Sequence, residues 1–246
     1  EQCGAFLSGG LDSSTVSGML AKFHNPAKTF SVGFNEPGYD ETHYAEITAK
    51  KFNTQHEAAY LEPEYITDNF TKVAAAFDEP FGNSSALAAY FCARYAKEKG
   101  VDTLLAGDGG DELFAGNSRY AKQKYFFPYE NAPTIVKDIL KLVFVKSPLS
   151  KLPGFTKACS YIQQAENPLP DRLQAYNFLH RFSPDDIFTK EFLSGVDTEK
   201  PLEELRSRYK EADATSPIDK MLYLDWKFTL ADNDLIKVTR MCELAG

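Results

Sequence analysis

Two short stretches hold most of the residues that could do chemistry. The first is Leu7-Ser8-Gly9-Gly10-Leu11-Asp12-Ser13-Ser14. Glycines let backbone N–H groups approach phosphate oxygens, and a helix start adds favourable partial charge. A strand running through two glycines into a helix therefore makes an anion site. The hydroxyls of Ser8, Ser13 and Ser14 add donors. Asp12 is out of place in a pure anion site, because a carboxylate repels phosphate. It fits if it holds a Mg2+ that bridges to the phosphates. The same residues also read as a capped helix after a tight turn, with Asp12 and Ser13 in its first positions. The chain has no Gly-Lys-Ser or Gly-Lys-Thr, so this is not a Walker A loop.

The second stretch is Ala106-Gly107-Asp108-Gly109-Gly110-Asp111-Glu112-Leu113-Phe114-Ala115-Gly116. Asp108, Asp111 and Glu112 crowd three carboxylates together, which is costly unless a cation or a cationic substrate joins them. A dinucleotide Gly-x-Gly-x-x-Gly match fails at Glu112, and the ligand spacing of an EF-hand is missing. The plainer alternative is a solvated acidic turn, with Glu112 placed in the first helical turn for its dipole.

The surrounding pattern supplies the elements that position these loops. Cys3 to Leu7 is a short apolar run stopped by Ser8-Gly9-Gly10. Val16, Met19, Leu20 and Phe23 then recur at helical spacing and predict one apolar helix face. Lys28 to Phe34 alternates as a second strand, Thr42 to Phe52 reads as a helix, and Thr54 to Leu61 reads as a weaker third strand. Helices are expected over Glu64 to Phe77 and Ser85 to Lys99, and Gly100 leads into a fourth strand at Thr103 to Ala106. This alternation predicts an α/β fold: a parallel sheet with helices on both faces, followed by a mainly helical C-terminal half. In such sheets ligands sit at the carboxyl ends of the strands, and both glycine-rich stretches fall there. The pattern changes near residue 128, giving an expected core over 1–128 and a helical part over 129–246. Ile139 to Val145 is expected to be a buried helix. Tyr125, Phe126, Phe127 and Tyr129 read as a hydrophobic seam joining the halves, or as a ligand wall.

Bulk properties narrow the partners. The 246 residues carry 27 basic and 35 acidic side chains, a formal charge of −8. That argues against a dominant nucleic-acid footprint, which needs many phosphate-neutralising side chains. No apolar run reaches the roughly 18 residues that span a bilayer. Cys3, Cys92, Cys159 and Cys242 are widely separated and form no Cys-x-x-Cys pair. A chain of this size folds without disulfides, so a cytoplasmic location is expected. Cys3 is read as packing. His24, His43, His56 and His180 lack partners at metal or triad spacing and are read as helix-surface or loop residues.

Together the two loops resemble the synthetase domain of the asparagine synthetase family. Ser8-Gly9-Gly10-Leu11-Asp12-Ser13 is similar to the Ser-Gly-Gly-x-Asp-Ser signature of a wider group of ATP pyrophosphatases. Gly107 through Gly116 narrows the match to asparagine synthetases. Phe30-Ser31-Val32-Gly33-Phe34, Asp78-Glu79-Pro80-Phe81 and Leu235-Ile236-Lys237-Val238 are also similar to family segments. The resemblance implies an enzyme that adenylates a carboxylate, typically the β-carboxyl of aspartate, and releases pyrophosphate from ATP. Ammonia then displaces AMP to give the amide. It further implies Mg2+ on Asp12 and Asp111, and ATP or its pyrophosphate held by Leu7, Ser8, Gly9, Gly10, Asp12, Ser13, Ser14, Val32, Gly33, Ala106 and Gly107. Asp108 would assist ammonia addition, Glu112 would stand near the metal, and Asn83, Ser84 and Ser85 would lie on the substrate side.

Complete family members obtain their ammonia from a glutaminase domain. This chain is expected to lack that domain and to stop short of later substrate-binding segments and a downstream catalytic lysine. It departs from the family at Asn117, at Ala88, and at Thr239-Arg240-Met241-Cys242-Glu243. The departures around Arg240 keep open a relative that amidates or cyclises another carboxylate, and truncation or a regulatory role keeps open a nucleotide-binding module without turnover.

Overall fold

The computed structural model describes residues 2–36, 38–146, 155–174 and 182–246, so His180 lies outside the described residues. The chain divides into two compact units, Glu1–Phe114 with Trp226–Gly246, and Ala115–Asp225. The sequence pattern changes near residue 128. It gives no sign that the last stretch belongs with the first unit.

The first unit is the expected α/β alternation. Strands β1 (Cys3–Phe6), β2 (Lys28–Gly33), β3 (Gln55–Tyr60) and β4 (Thr103–Leu105) form a parallel sheet in the order β3-β2-β1-β4. Gly4 pairs with Lys28 on one side and with Leu104 on the other. Helices α1 (Leu11–Phe23), α2 (Thr42–Phe52), α3 (Pro63–Ala74), α4 (Ser85–Glu98) and the short α5 (Gly110–Phe114) fall between and after the strands. A π-helical stretch, Trp226–Asp234, leads into the C-terminal helix Leu235–Ala245.

The alternation of strand residues sorts the two faces. Phe6, Phe30 and Val32 pack with Cys92, Ala96 and Val101 on the α4 side. Ala5 packs with Val16, Leu20 and Ala27 on the α1 side, and Leu7 meets Ala45 and Ala49 of α2. The second of these faces is partly polar. Thr29 Oγ1 meets Thr54 Oγ1 at 2.9 Å and His56 Nδ1 at 3.0 Å, and Ser31 donates to the carbonyl of Leu7. His56 is thus a strand residue bonded across the sheet, where a helix-surface or loop role was expected. Burial holds its pKa below the ordinary histidine value.

The apolar face expected of α1 is only half right. Leu20 is buried, but Met19 and Phe23 are 47% and 80% exposed. The helix packs through small residues instead, burying Ser13, Ser17 and Gly18. A Cβ on Gly18 would come 2.6 Å from the Phe52 ring, so this spot on α1 serves close approach to α2.

The second unit is helical throughout its described residues, its longer helices being Thr134–Phe144, Phe155–Glu166, Lys200–Glu211 and Pro217–Asp225. Phe126 and Tyr129 are buried with Ile162 and Ala165 in its core, whereas Tyr125 is exposed. The stretch Ile139 to Val145 falls on a helix, as expected, but it is not buried: Ile139 and Leu142 are 55% and 63% exposed. Leu140, Phe144 and Val145 alone face that core. Arg172 is fully buried, donating to Gln123 Oε1 at 3.0 Å and Glu130 Oε1 at 2.6 Å over the Phe126 ring. Among the described residues, no helix is long and apolar enough to cross a membrane.

Candidate functional site

Both glycine-rich loops leave the sheet at the carboxyl ends of neighbouring strands, one after β1 and one after β4. The order β3-β2-β1-β4 makes the β1/β4 border the point where the winding reverses. This is where open parallel sheets leave a crevice for ligands.

The first loop is held by its own hydroxyls. Leu7 donates its N–H to the Phe30 carbonyl at 2.8 Å, which extends the sheet one residue beyond β1. The Ser8 N–H then donates to Ser13 Oγ at 3.2 Å, and the two seryl hydroxyls lie 2.9 Å apart. Gly10 donates to Ser8 Oγ at 3.3 Å, while its carbonyl accepts the first helical bond, from the Ser14 N–H at 3.0 Å. The Ser14 hydroxyl is bonded to Thr48 Oγ1 of α2 at 2.9 Å, so Ser14 is tied into the helix packing.

The two glycines of this loop do different jobs. Gly9 has φ +84°, and a Cβ there would lie 2.6 Å from the Ala45 N–H nitrogen of α2, so the fold itself demands glycine. Gly10 has φ −67°, and a Cβ there meets nothing closer than Ser8 Oγ at 3.4 Å. The fold does not require glycine at position 10. A ligand approaching the helix N-terminus would.

The second loop lies directly against the first. A Cβ on Gly107 would fall 2.7 Å from the Ser13 backbone nitrogen, and one on Gly110 would fall 2.8 Å from Asp12 Cβ and closer still to its carboxylate. Gly107 and Gly110 are therefore explained by the closeness of α1, and Gly109 by its left-handed backbone at φ +95°. They bring the chain bearing Asp108, Asp111 and Glu112 up to Asp12. Glu112 is buried at 8% exposure, and Asp12 and Asp111 are half-buried.

Asp108 has a partner that the sequence reading did not single out. Lys237 on the C-terminal helix is 13% exposed, with Nζ 3.6 Å from Asp108 Oδ1 and 3.0 Å from Asp234 Oδ1. Burial pushes the Asp108 carboxyl above its ordinary value, Lys237 opposes that, and Asp234 adds to it. The available signal was the Asp234-x-x-Lys237 spacing, which puts both side chains on one helical face.

Beside the loops, a cavity of about 280 Å3 is lined by Leu7, Ser8, Val32, Phe34, Ala88 and Cys92. Leu7, Ser8 and Val32 are among the expected nucleotide-contacting residues. Gly33 closes β2 against Tyr60, whose ring would stand 2.6 Å from a Cβ placed there. Ala106 follows β4 at the same end of the sheet.

Asn83, Ser84 and Ser85 stand at the start of α4. Asn83 Oδ1 accepts from the Ser85 N–H at 3.1 Å and the Ser85 hydroxyl at 2.6 Å, and Asn83 Nδ2 donates to Asn233 Oδ1 at 2.9 Å. These bonds give the first N–H of the helix a partner and tie its start to the π-helical stretch. Asn83 and Ser84 also line a second cavity, of about 490 Å3, together with Glu79, Phe81, Asp232 and Asn233.

This geometry meets matching relatives. The family model for asparagine synthase matches residues 1–246. The chain is 31% identical over 241 residues to asparagine synthetase (glutamine-hydrolyzing) 1 of Bacillus subtilis, covering 97% of this chain and 36% of that protein. It is 46% identical over 115 residues to putative asparagine synthetase (glutamine-hydrolyzing) 2 of Methanocaldococcus jannaschii, covering 46% of this chain and 22% of that protein. An amidase of Penicillium rubens, chyE, is 26% identical over 145 residues, covering 53% of this chain and 22% of the amidase. The chain thus spans 36% or less of the length of these relatives. With a family match from the first residue to the last, and the two loops brought together at the head of the sheet, the chain belongs to the asparagine synthase family.

Proposed function

We propose that this chain carries the ATP-using half of an amide-forming ligase. It would adenylate a carboxylate, typically the β-carboxyl of aspartate, and pass the activated group to ammonia supplied by a glutaminase domain. The observation that carries this reading is the contact of the two loops, with Gly107 against the Ser13 nitrogen and Gly110 against Asp12. It sets an anion cradle and a group of carboxylates side by side, as a metal-bound polyphosphate requires.

The residues fit such a ligand. Gly10 leaves the helix N-terminus open to a phosphate, and Ser8 and Ser13 offer hydroxyls beside it. The cavity at Leu7, Ser8 and Val32 suits the adenosine, with backbone groups of Leu7, Val32, Gly33, Ala106 and Gly107 as its contacts. Asp12 and Asp111 would hold Mg2+. Among the described residues, no three Asp, Glu, His or Cys side chains form a metal cage. Two carboxylates with phosphate and water completing the shell is the usual arrangement for Mg2+ at a polyphosphate. When bound, the ion neutralises charge on the departing pyrophosphate.

The chemistry then divides among the side chains. The substrate carboxylate oxygen attacks the α-phosphorus, the bond to pyrophosphate breaks, and a poor leaving group becomes a good one. Donors at Ser8, Ser13 and the helix N-terminus stabilise the charge that develops on the pyrophosphate. In the second step the ammonia nitrogen attacks the acyl carbon, and the bond to AMP breaks. Asp108 takes the proton that the nitrogen gives up, and its raised pKa suits that task.

A second reading differs in substrate only. Amidases appear among the relatives, and Thr239 to Glu243 departs from the synthetase pattern, so another carboxylate could be the one activated. The full chain should be assayed for AMP and pyrophosphate with Mg·ATP, ammonium and a panel of carboxylates. Aspartate is expected to raise AMP formation at least about tenfold over background, a differential of about 1.4 kcal/mol in the barrier. A response to another carboxylate and not to aspartate would favour the second reading. A response to none would remove the enzyme reading.

A further inference from the structure

We infer that Lys237 is a positioning residue for the second loop, its ammonium fixed by Asp234 and holding the Asp108 carboxylate ionised and in place. This rests on the reading of Asp108 as the proton-accepting group. It adds a residue from the C-terminal helix, outside both motifs.

Three features carry the inference. First, Lys237 springs from the packed side of its helix: Met241, one turn on, is fully buried among Val73, Ala86 and Tyr90. Lysine is seldom placed on such a face unless its charge is used. Second, its ammonium stands between two carboxylates, 3.0 Å from Asp234 and 3.6 Å from Asp108. Asp234 is three residues away on the same helical run and would suffice for a purely local pair. Asp108 comes from a distant loop, and its contact joins the helix to the site. Third, the Asp108 side chain is 24% exposed, so a neighbouring cation acts on it with little screening by water.

Burial and Asp234 disfavour the ionised form of Asp108, whereas Lys237 and a backbone hydrogen bond favour it. Cys242, further along the same helix, has its thiol pKa raised by burial first and then by the Asp108 and Glu243 charges. Asp111 and Glu112 follow on the same loop, and Asp12 lies against Gly110. Lys237 is the cation in this set. Without it, burial and Asp234 push Asp108 toward the protonated acid, which cannot accept a proton, against a backbone hydrogen bond that favours the carboxylate.

The bland alternative is an ion pair that merely anchors the helix start. It predicts a loss of stability for Lys237→Met and no specific change at Asp108. The test therefore reads the carboxyl directly. Carboxyl-carbon NMR titration of Asp108, identified by its loss in Asp108→Asn, should be run on wild type, Lys237→Met and Lys237→Arg. The Met variant keeps the apolar stem, and the Arg variant keeps the charge.

The expected result is an upward shift of the Asp108 titration by about one unit in the Met variant, largely restored in the Arg variant. The acidic limb of the pH profile for amide formation should move up in step, with the Michaelis constant for ATP nearly unchanged. An Asp108 titration that stays put in the Met variant overturns the inference. So does a shifted titration that leaves the pH profile where it was. If wild type neither binds Mg·ATP nor forms AMP, the ligase reading fails, and the titration still decides the Lys237–Asp108 coupling without turnover.

Discussion

Gly9→Ala is expected to cost the fold about 2 to 5 kcal/mol, adding the left-handed backbone penalty to an overpacking clash. Gly9 sits at φ +84°, and its missing Cβ would lie 2.6 Å from the Ala45 nitrogen. The obstacle is helix backbone, which cannot swing aside as a flexible side chain would. Either α2 moves off α1, or the loop loses its bonds between Ser8 and Ser13. A shift of that size is a large fraction of the stability of an ordinary domain. Urea unfolding should show a lower midpoint with an unchanged slope.

Gly10→Ala, next door, is the control. Its extended backbone accepts alanine, and its nearest obstacle is Ser8 Oγ at 3.4 Å, so the expected stability loss is under about 1 kcal/mol. Its ATP affinity should nevertheless fall about tenfold or more, because the new methyl group enters the space a phosphate would use. Equal stability losses for the two variants would mean that the loop conformation is misassigned. Unchanged ATP affinity in Gly10→Ala would mean that the open side of this turn holds no phosphate.

The second large effect is expected at Asp108. Asp108→Asn should slow amide formation by roughly 100-fold or more, the usual contribution of a positioned general base. Carboxylate-dependent exchange of pyrophosphate into ATP should stay within a few-fold of wild type. The split follows from the roles proposed above: Asp108 acts when nitrogen attacks, after pyrophosphate has left. Asparagine is close in shape to aspartate and can still bond to Lys237, so the fold is expected to tolerate it. If exchange and amide formation fall together, Asp108 serves the first step or the metal. If neither falls, it is not the base.

Much of this site was legible in the sequence because its signals are local. The Ser8–Ser14 and Gly107–Asp111 stretches announce themselves by residue type and spacing. The short apolar runs around them, bounded by turn residues, place the strands to within a residue or two. The fold class follows from the order of those elements.

What the sequence concealed depends on contacts between distant segments. Val16, Met19, Leu20 and Phe23 mark an apolar stripe on α1, but α1 is pressed against α2 through Ser17 and Gly18. Small residues that permit close approach leave no trace in a hydrophobicity pattern. Ile139 to Val145 is apolar enough to suggest burial, yet that helix offers its neighbours only one edge.

Asn83 shows the same limit for polar residues, since its bond to Asn233 joins residues far apart in the chain. The assignment of a boundary near 128 could not anticipate that Trp226–Gly246 returns to the first unit. That return brings Lys237 to Asp108, a pairing between segments far apart in the sequence.

The central claim is that the two loops form one metal–nucleotide site, and Mg2+-dependent ATP binding tests it most directly. Calorimetric titrations with and without Mg2+ should be run on wild type, Asp12→Ala and Asp111→Ala, each first shown to be folded. The expected result is at least about a tenfold gain in affinity from Mg2+ in wild type, or 1.4 kcal/mol, lost in both variants. A folded wild-type chain that binds ATP no better with Mg2+, or variants that keep the gain, would contradict it.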